Sequence, residues 1–318
     1  MANRRNVAQS TIYVQQRQAI ARLCEAVAAM EEKLIAERRQ TVDARLGAPT
    51  YGEAVGFDEA VARLTPLLGS DEPPWLISIE GIGGIGKTTL ADVLVRTAGL
   101  HPRFDGVAWF SAQPSQLLLD GSLHTRAGAA TSAHAVAAAL SRQVMPEEAA
   151  RFMVDPAGAR RALRNRLMSY PHLLVVDNLE TIEDLDQLVP LLAELANPSR
   201  ILLTARKRYE GEFALYHFLV PELSEQHALD LVRQEARRIN LPLIEQATDD
   251  ELRPLYGAVG GNPLALRLLT GQLHHYGLDA LLADLRQARG EGIENLYTFI
   301  YRRAWDALAE QERRVLLA

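Results

Sequence analysis

The run Gly81-Ile82-Gly83-Gly84-Ile85-Gly86-Lys87-Thr88 satisfies the pattern G-x-x-x-x-G-K-[ST], and the chemistry of that pattern is the capture of phosphate. A polyphosphate needs many donors at close range. Glycines at 81, 83, 84 and 86 let backbone N–H groups turn inward with no side chain in the way, and a helix starting at Lys87 adds its positive N-terminal end. The expected cradle is Gly81, Gly83, Gly84, Ile85, Gly86, Lys87, Thr88 and Thr89. Lys87 is expected to bridge the β- and γ-phosphates of a nucleotide such as ATP, and the Thr88 hydroxyl to complete the shell of a Mg2+ ion.

A second signal lies downstream. His172-Leu173-Leu174-Val175-Val176-Asp177 is a continuous apolar run closed by a carboxylate. A strand buried on both faces reads this way, and an acid at its C-terminal end lies at the edge where open α/β sheets bind ligands. Asp177 is therefore the second expected Mg2+ ligand, beside Thr88. Glu180 is either the group that orients and deprotonates an attacking water or a solvated loop acid. The apolar run Ile201-Leu202-Leu203-Thr204 leads to Arg206, which either reaches a γ-phosphate from the sheet edge or sits on the surface of the basic turn 206–208. Gly261-Asn262-Pro263 starts a helix with proline in its first turn; as local structure it is an N-terminal signal and no more.

These residues need a frame, and the chain supplies a βαβ pattern. From Pro74 short β-rich runs alternate with helical segments, with strands expected at 76–80, 107–112, 172–176, 201–204 and 216–220. The helix after Lys87 and one over 159–169 are the crossovers, and 113–135 reads as an irregular surface excursion. After Pro221 the strands stop; Ser224 reads as an N-cap, and the chain to Leu285 reads as helical. Residues 7–45 hold neither proline nor glycine and read as one helix with a stripe at Ile20, Leu23, Val27, Met30 and Leu34. That stripe packs on the chain's own next domain, on a second copy or on an effector. Gly47, Pro49 and Gly52 punctuate a linker before an amphipathic stretch at 57–68. Four segments follow: an N-terminal helical segment at 1–48, an α/β domain with a parallel five-stranded sheet at 49–220, a helical domain at 221–293 and a further helical start at 294–318.

Composition narrows the classes. The 318 residues are 48% hydrophobic and 23% charged, enough for a core and against wholesale disorder. A net charge of −6 argues against a chain-wide nucleic-acid footprint. The single cysteine, Cys24, excludes an internal disulfide, fits a reducing cytoplasm and reads as a small packing residue. No apolar run approaches the roughly 20 residues that span a bilayer.

Taken in order, Val55-Gly56-Phe57, the 81–90 loop, Phe104-Asp105-Gly106-Val107-Ala108-Trp109, the 173–178 strand end, Ile201 to Arg206 and Gly260 to Leu266 resemble the NB-ARC and related STAND class of signal-transduction P-loop ATPases over roughly residues 50–318. The resemblance implies that Val55 and Gly56 hold the nucleotide from the adenine side, that Pro263 presses on the adenine, and that Arg206 senses the γ-phosphate. It implies an ATP/ADP switch with slow hydrolysis, in which exchange opens a helical lid and drives homo-oligomer assembly with a protein effector or sensor partner. It also makes Tyr297 to Ala318 the opening of a winged-helix domain, cut in mid-pattern at Val315-Leu316-Leu317-Ala318. Two positions depart from the family: Asn178 stands where many members carry a second acid, and Phe57 where they carry arginine. The alternatives are a DNA-binding AAA+ ATPase and a nucleotide-binding scaffold that does not hydrolyse.

Overall fold

A computed structural model describes residues 2–49, 51–112, 115–117, 123–125, 132–148, 154–182, 184–211, 213–273, 277–278 and 280–283. The chain divides into two compact units, Met1–Gly47 and Ala48–Ala318. The first is a single helix, α1 (Ala2–Leu46). With no proline or glycine inside, each amide past the first turn finds its i−4 carbonyl. The helix stops where Gly47 donates to the Asp43 carbonyl at 2.8 Å. Taken by itself, α1 leaves Ile20, Leu23, Val27, Met30 and Leu34 exposed. Cys24 is exposed as well, contrary to a packing role.

The second unit opens with α2 (Asp58–Gly69) and β1 (Leu76–Glu80), followed by α3 (Lys87–Ala98) and β2 (Gly106–Ser111). A short antiparallel pair, β3 (Ser115–Leu117) and β4 (Leu123–Thr125), precedes α4 (Ala133–Val144), α5 (Pro156–Ser169), β5 (His172–Asp177), α6 (Leu185–Leu195), β6 (Arg200–Ala205) and β7 (Tyr216–Leu219). Five strands form one parallel sheet in the order β2-β5-β6-β1-β7. β1, β5 and β6 are buried along their whole length, which is why 173–176 of β5 and 201–203 of β6 read as unbroken apolar runs. Leu174, Val176 and Leu203 share a core with Leu140 of α4, Leu163 of α5 and Leu192 of α6. α3 packs on β1, β5 and β6 and against α2.

Strand order positions the chemistry. β1 lies beside β6, and β6 beside β5, with Glu80 paired to Ala205 and Val176 to Leu203. The residues that follow these three strands, Gly81, Asp177 at the close of β5 and Arg206, therefore meet at one sheet edge.

The expected α/β architecture holds, and each expected strand start lies within one residue of the observed one. The 113–135 excursion needs correction, because it contains β3, β4 and the start of α4. Three-residue strands are too short to show a period of two. The alanine-rich start of α4 resembles low complexity, yet alanine is the strongest helix former, and Ser132 caps the helix by accepting from the Ala135 amide at 3.3 Å.

Helices α7 (Glu225–Arg238), α8 (Pro242–Glu245), α9 (Asp249–Val259) and α10 (Pro263–Gln272) follow. Leu229, Val232, Leu252, Leu255, Leu266 and Leu269 make a second core, joined by Leu281 and Leu282. Ser224 caps α7 as expected, a Thr248–Glu251 capping box opens α9, and Asn262 caps α10. The expected winged-helix start at 294–318 lies outside the described residues. Among the described residues no helix is long and apolar enough to cross a membrane.

Candidate functional site

The loop between β1 and α3 carries its cation folded back on itself. Lys87 Nζ donates to the carbonyls of Gly81 at 2.9 Å and Ile82 at 3.0 Å. Burial pushes the Lys87 ammonium below the ordinary amine range, and Glu180 opposes that shift from across the site.

Behind the loop, Asp177 is 2% exposed and fully engaged. Its Oδ1 accepts from the hydroxyls of Thr88 at 2.8 Å and Thr204 at 2.7 Å, and its Oδ2 from Ser111 at 3.1 Å. Thr204 also accepts from the Asn178 amide at 2.8 Å, which locks the chain as it leaves β5. A buried carboxylate beside a threonine hydroxyl is a hard oxygen donor set, the type that Mg2+ takes. No group of three or more His, Cys, Asp or Glu able to hold a metal occurs among the described residues. Thr88 and Asp177 are the residues that would hold such an ion.

Asn178 adopts a left-handed φ of 67° and starts a 3-10 turn, Leu179–Thr181, that carries Glu180 to the site. There Glu180 Oε1 accepts from Arg206 Nε at 2.8 Å. Two residues expected to act separately are therefore an ion pair, with the arginine side chain 62% exposed and the glutamate 20%.

A cavity of about 370 Å³ opens over this constellation, within the size range of small-ligand pockets. Val55, Gly83, Gly84, Gly86, Lys87, Thr88, Thr89, Glu180, Arg206 and Pro263 all line it. Gly56, Gly81, Ile85 and Asp177 are not on its wall. Gly56 packs toward Leu223, the Gly81 carbonyl serves Lys87, the Ile85 side chain is buried, and Asp177 is reached through Thr88.

Several lining residues were not expected from sequence. Leu223, Leu231 and Arg267 come from the helical part. Arg267 follows Pro263 by four positions, one turn along the same helix face, and that spacing was the available signal. Ser111 closes β2 as Asp177 closes β5, in register with it.

The family model of the NB-ARC domain matches residues 57–241, more than half of the chain. The chain belongs to the NB-ARC family. Within this NB-ARC chain the match takes in the 81–89 loop, Asp177, Glu180 and Arg206; Val55, Gly56 and Pro263 lie outside it. The chain is 25% identical over 244 residues to the probable disease resistance RPP8-like protein 2 of Arabidopsis thaliana, covering 74% of this chain and 25% of that protein. It is 28% identical over 233 residues to the ToMV resistance protein Tm-2(GCR236) of Solanum lycopersicum, covering 70% of this chain and 24% of that one. It thus spans about a quarter of the length of these curated relatives. Among solved structures, a STAND protein with a tetratricopeptide repeat sensor from Pyrococcus horikoshii superposes with a TM-score of 0.50 at 18% identity, covering 76% of this chain and 33% of that one. The NB-ARC domain is a nucleotide-binding signalling module, and the fold here is that of the P-loop ATPases.

Proposed function

We propose that this NB-ARC chain is an ATP/ADP-operated switch with slow hydrolysis, in which exchange of ADP for ATP opens the helical part and permits self-assembly in a signalling or defence pathway. The observation that carries this reading is a cavity walled on one side by the phosphate loop and on the other by Pro263, Leu264 and Arg267 of α10. A ligand seated there touches both parts, so its loss or change alters how they fit together. On this reading 49–220 is the nucleotide domain, 221–293 a lid, 294–318 the start of a winged helix and 1–48 an N-terminal helical segment.

The roles follow from position. Loop amides and Lys87 hold the phosphates, while Val55, Gly56 and Pro263 hold the base. Thr88 and Asp177 hold Mg2+, which supplies neutralisation of phosphate charge when bound. The Arg206–Glu180 pair is the discriminating device. A γ-phosphate offers the guanidinium a stronger, doubly charged partner. Drawn away, Arg206 releases Glu180 to orient water and accept its proton. Asn178, in place of a second acid, leaves Glu180 as the base and keeps turnover slow. Shifting a switch from 1:99 to 99:1 takes about 5.5 kcal/mol, within reach of a few charge-assisted contacts to one phosphate.

The test is a pair of substitutions. Arg206→Ala is expected to lower ATP affinity by at least about fivefold, roughly 1 kcal/mol, with ADP affinity nearly unchanged. Glu180→Gln is expected to keep both affinities and slow turnover at least about tenfold. Calorimetry and a phosphate-release assay read these out. Equal loss of ATP and ADP binding in Arg206→Ala would remove its sensing role, and parent-like turnover in Glu180→Gln would make Glu180 a solvated acid.

A further inference from the structure

Asn262 does more than an N-cap needs. It is 1% exposed, and its Oδ1 accepts from the amides of Leu264 and Ala265, both at 3.1 Å, which caps α10. An acceptor suffices for that task, and serine or aspartate performs it equally well. The side chain here also spends its amide: Nδ2 donates to the Gly83 carbonyl at 3.1 Å, across from the helical part to the phosphate loop. One residue on, the Leu264 amide lies 3.3 Å from the Gly84 carbonyl. Two successive carbonyls of the loop are therefore held by the first turn of α10.

The consequence follows from peptide geometry. In a trans peptide the C=O and the next N–H point in opposite directions. Drawing the Gly83 carbonyl toward Asn262 turns the Gly84 N–H away from it. Gly83 and Gly84 both line the cavity, whereas Asn262 stands outside it. Without an anchor this peptide is free to flip, since neither glycine restrains its backbone.

We propose that Asn262 is a positioning residue that sets the phosphate cradle from the lid: its donation to Gly83 aims the Gly84 N–H at the polyphosphate, so lid seating and phosphate affinity are coupled. By linkage the coupling runs both ways, and a phosphate held by Gly84 strengthens the lid's hold on the loop. The inference rests on the nucleotide reading above and adds the residue through which α10 acts on it.

Asn262→Ser separates the two tasks, because serine keeps the cap and cannot reach Gly83. Mg·ADP affinity by calorimetry is expected to fall about fivefold, because a Gly83–Gly84 peptide no longer held in its binding orientation must be set on binding. The nucleotide-free Tm is expected to fall by no more than about 2–4 °C, since serine keeps the cap and only the Gly83 bond is lost. Amide exchange in the ADP complex is expected to speed up over 81–87 and to remain slow over 264–272. Asn262→Ala, which lacks both tasks, is expected to lower Tm as well as affinity. Parent-like ADP affinity in Asn262→Ser would overturn the proposal, as would an affinity loss accompanied by fast exchange in α10, the mark of a cap alone. Failure of the parent to bind ADP is read before any variant and refutes the nucleotide assignment itself.

Discussion

Gly84→Ala is expected to weaken Mg·ADP binding by about 100-fold, roughly 3 kcal/mol. Two costs combine. Gly84 sits at φ 75°, in the left-handed region that costs a residue with a side chain about 1–2 kcal/mol. A Cβ there also falls 2.5 Å from Leu264 Cβ and 2.9 Å from its Cδ2, and overpacking of that kind costs about 1–3 kcal/mol. The strain is relieved by reshaping the loop or by pushing α10 off it, and each outcome damages the cavity. The control is Gly271→Ala, in α10 and off the cavity wall, where a Cβ meets nothing within 4 Å and φ lies outside the left-handed region. Its affinity is expected to stay within about threefold of the parent. Calorimetry on both variants decides, and parent-like binding by Gly84→Ala would mean that the loop and α10 do not need to close on each other.

Lys87→Ala is expected to cost at least about tenfold in ADP affinity and more in ATP affinity, since a third phosphate adds charge for the lost cation to meet. The substitution also leaves the Gly81 and Ile82 carbonyls without the donor that gathers the loop. A pH signature accompanies it. Burial holds the Lys87 ammonium below the ordinary amine range in the free protein, and an adjacent polyphosphate raises it again. A group whose pKa rises on binding favours the complex while protonated. Affinity in the parent should therefore hold at neutral pH and fall as alkaline pH passes the lowered Lys87 value, and Lys87→Ala should lose that fall. Anisotropy of a fluorescent ADP across pH checks both points. A pH profile shared by parent and variant would take Lys87 away from the phosphates.

The parts of the site that are local in sequence were legible there. Gly81 to Thr88 carries its function in glycine spacing, and Asp177 in the apolar run that buries β5. What sequence left open was pairing across the fold. Glu180 and Arg206 are 26 residues apart, and only the adjacency of β5 and β6 brings them to 2.8 Å. Asn262 read as a helix start because its second bond reaches a carbonyl 179 positions away. Leu231 enters the cavity from α7, which no local pattern encodes, whereas Arg267 stands one turn after Pro263 on α10 and was open to that reading. Val55, Gly56 and Pro263 were singled out through family resemblance alone; Val55 and Pro263 line the cavity and Gly56 does not. β3 and β4 escaped notice because three residues show no period.

The account stands on one claim, that a single nucleotide lies between the phosphate loop and α10. Photolabelling with 2-azido-ADP and Mg2+, followed by peptide mapping, tests it most directly, because the reactive group sits on the base. The predicted adducts fall on peptides containing 53–57 or 263–267, vanish with excess unlabelled ADP and need at least about tenfold more probe in Lys87→Ala. Adducts elsewhere on the chain, or labelling that unlabelled ADP does not compete away, would contradict the claim.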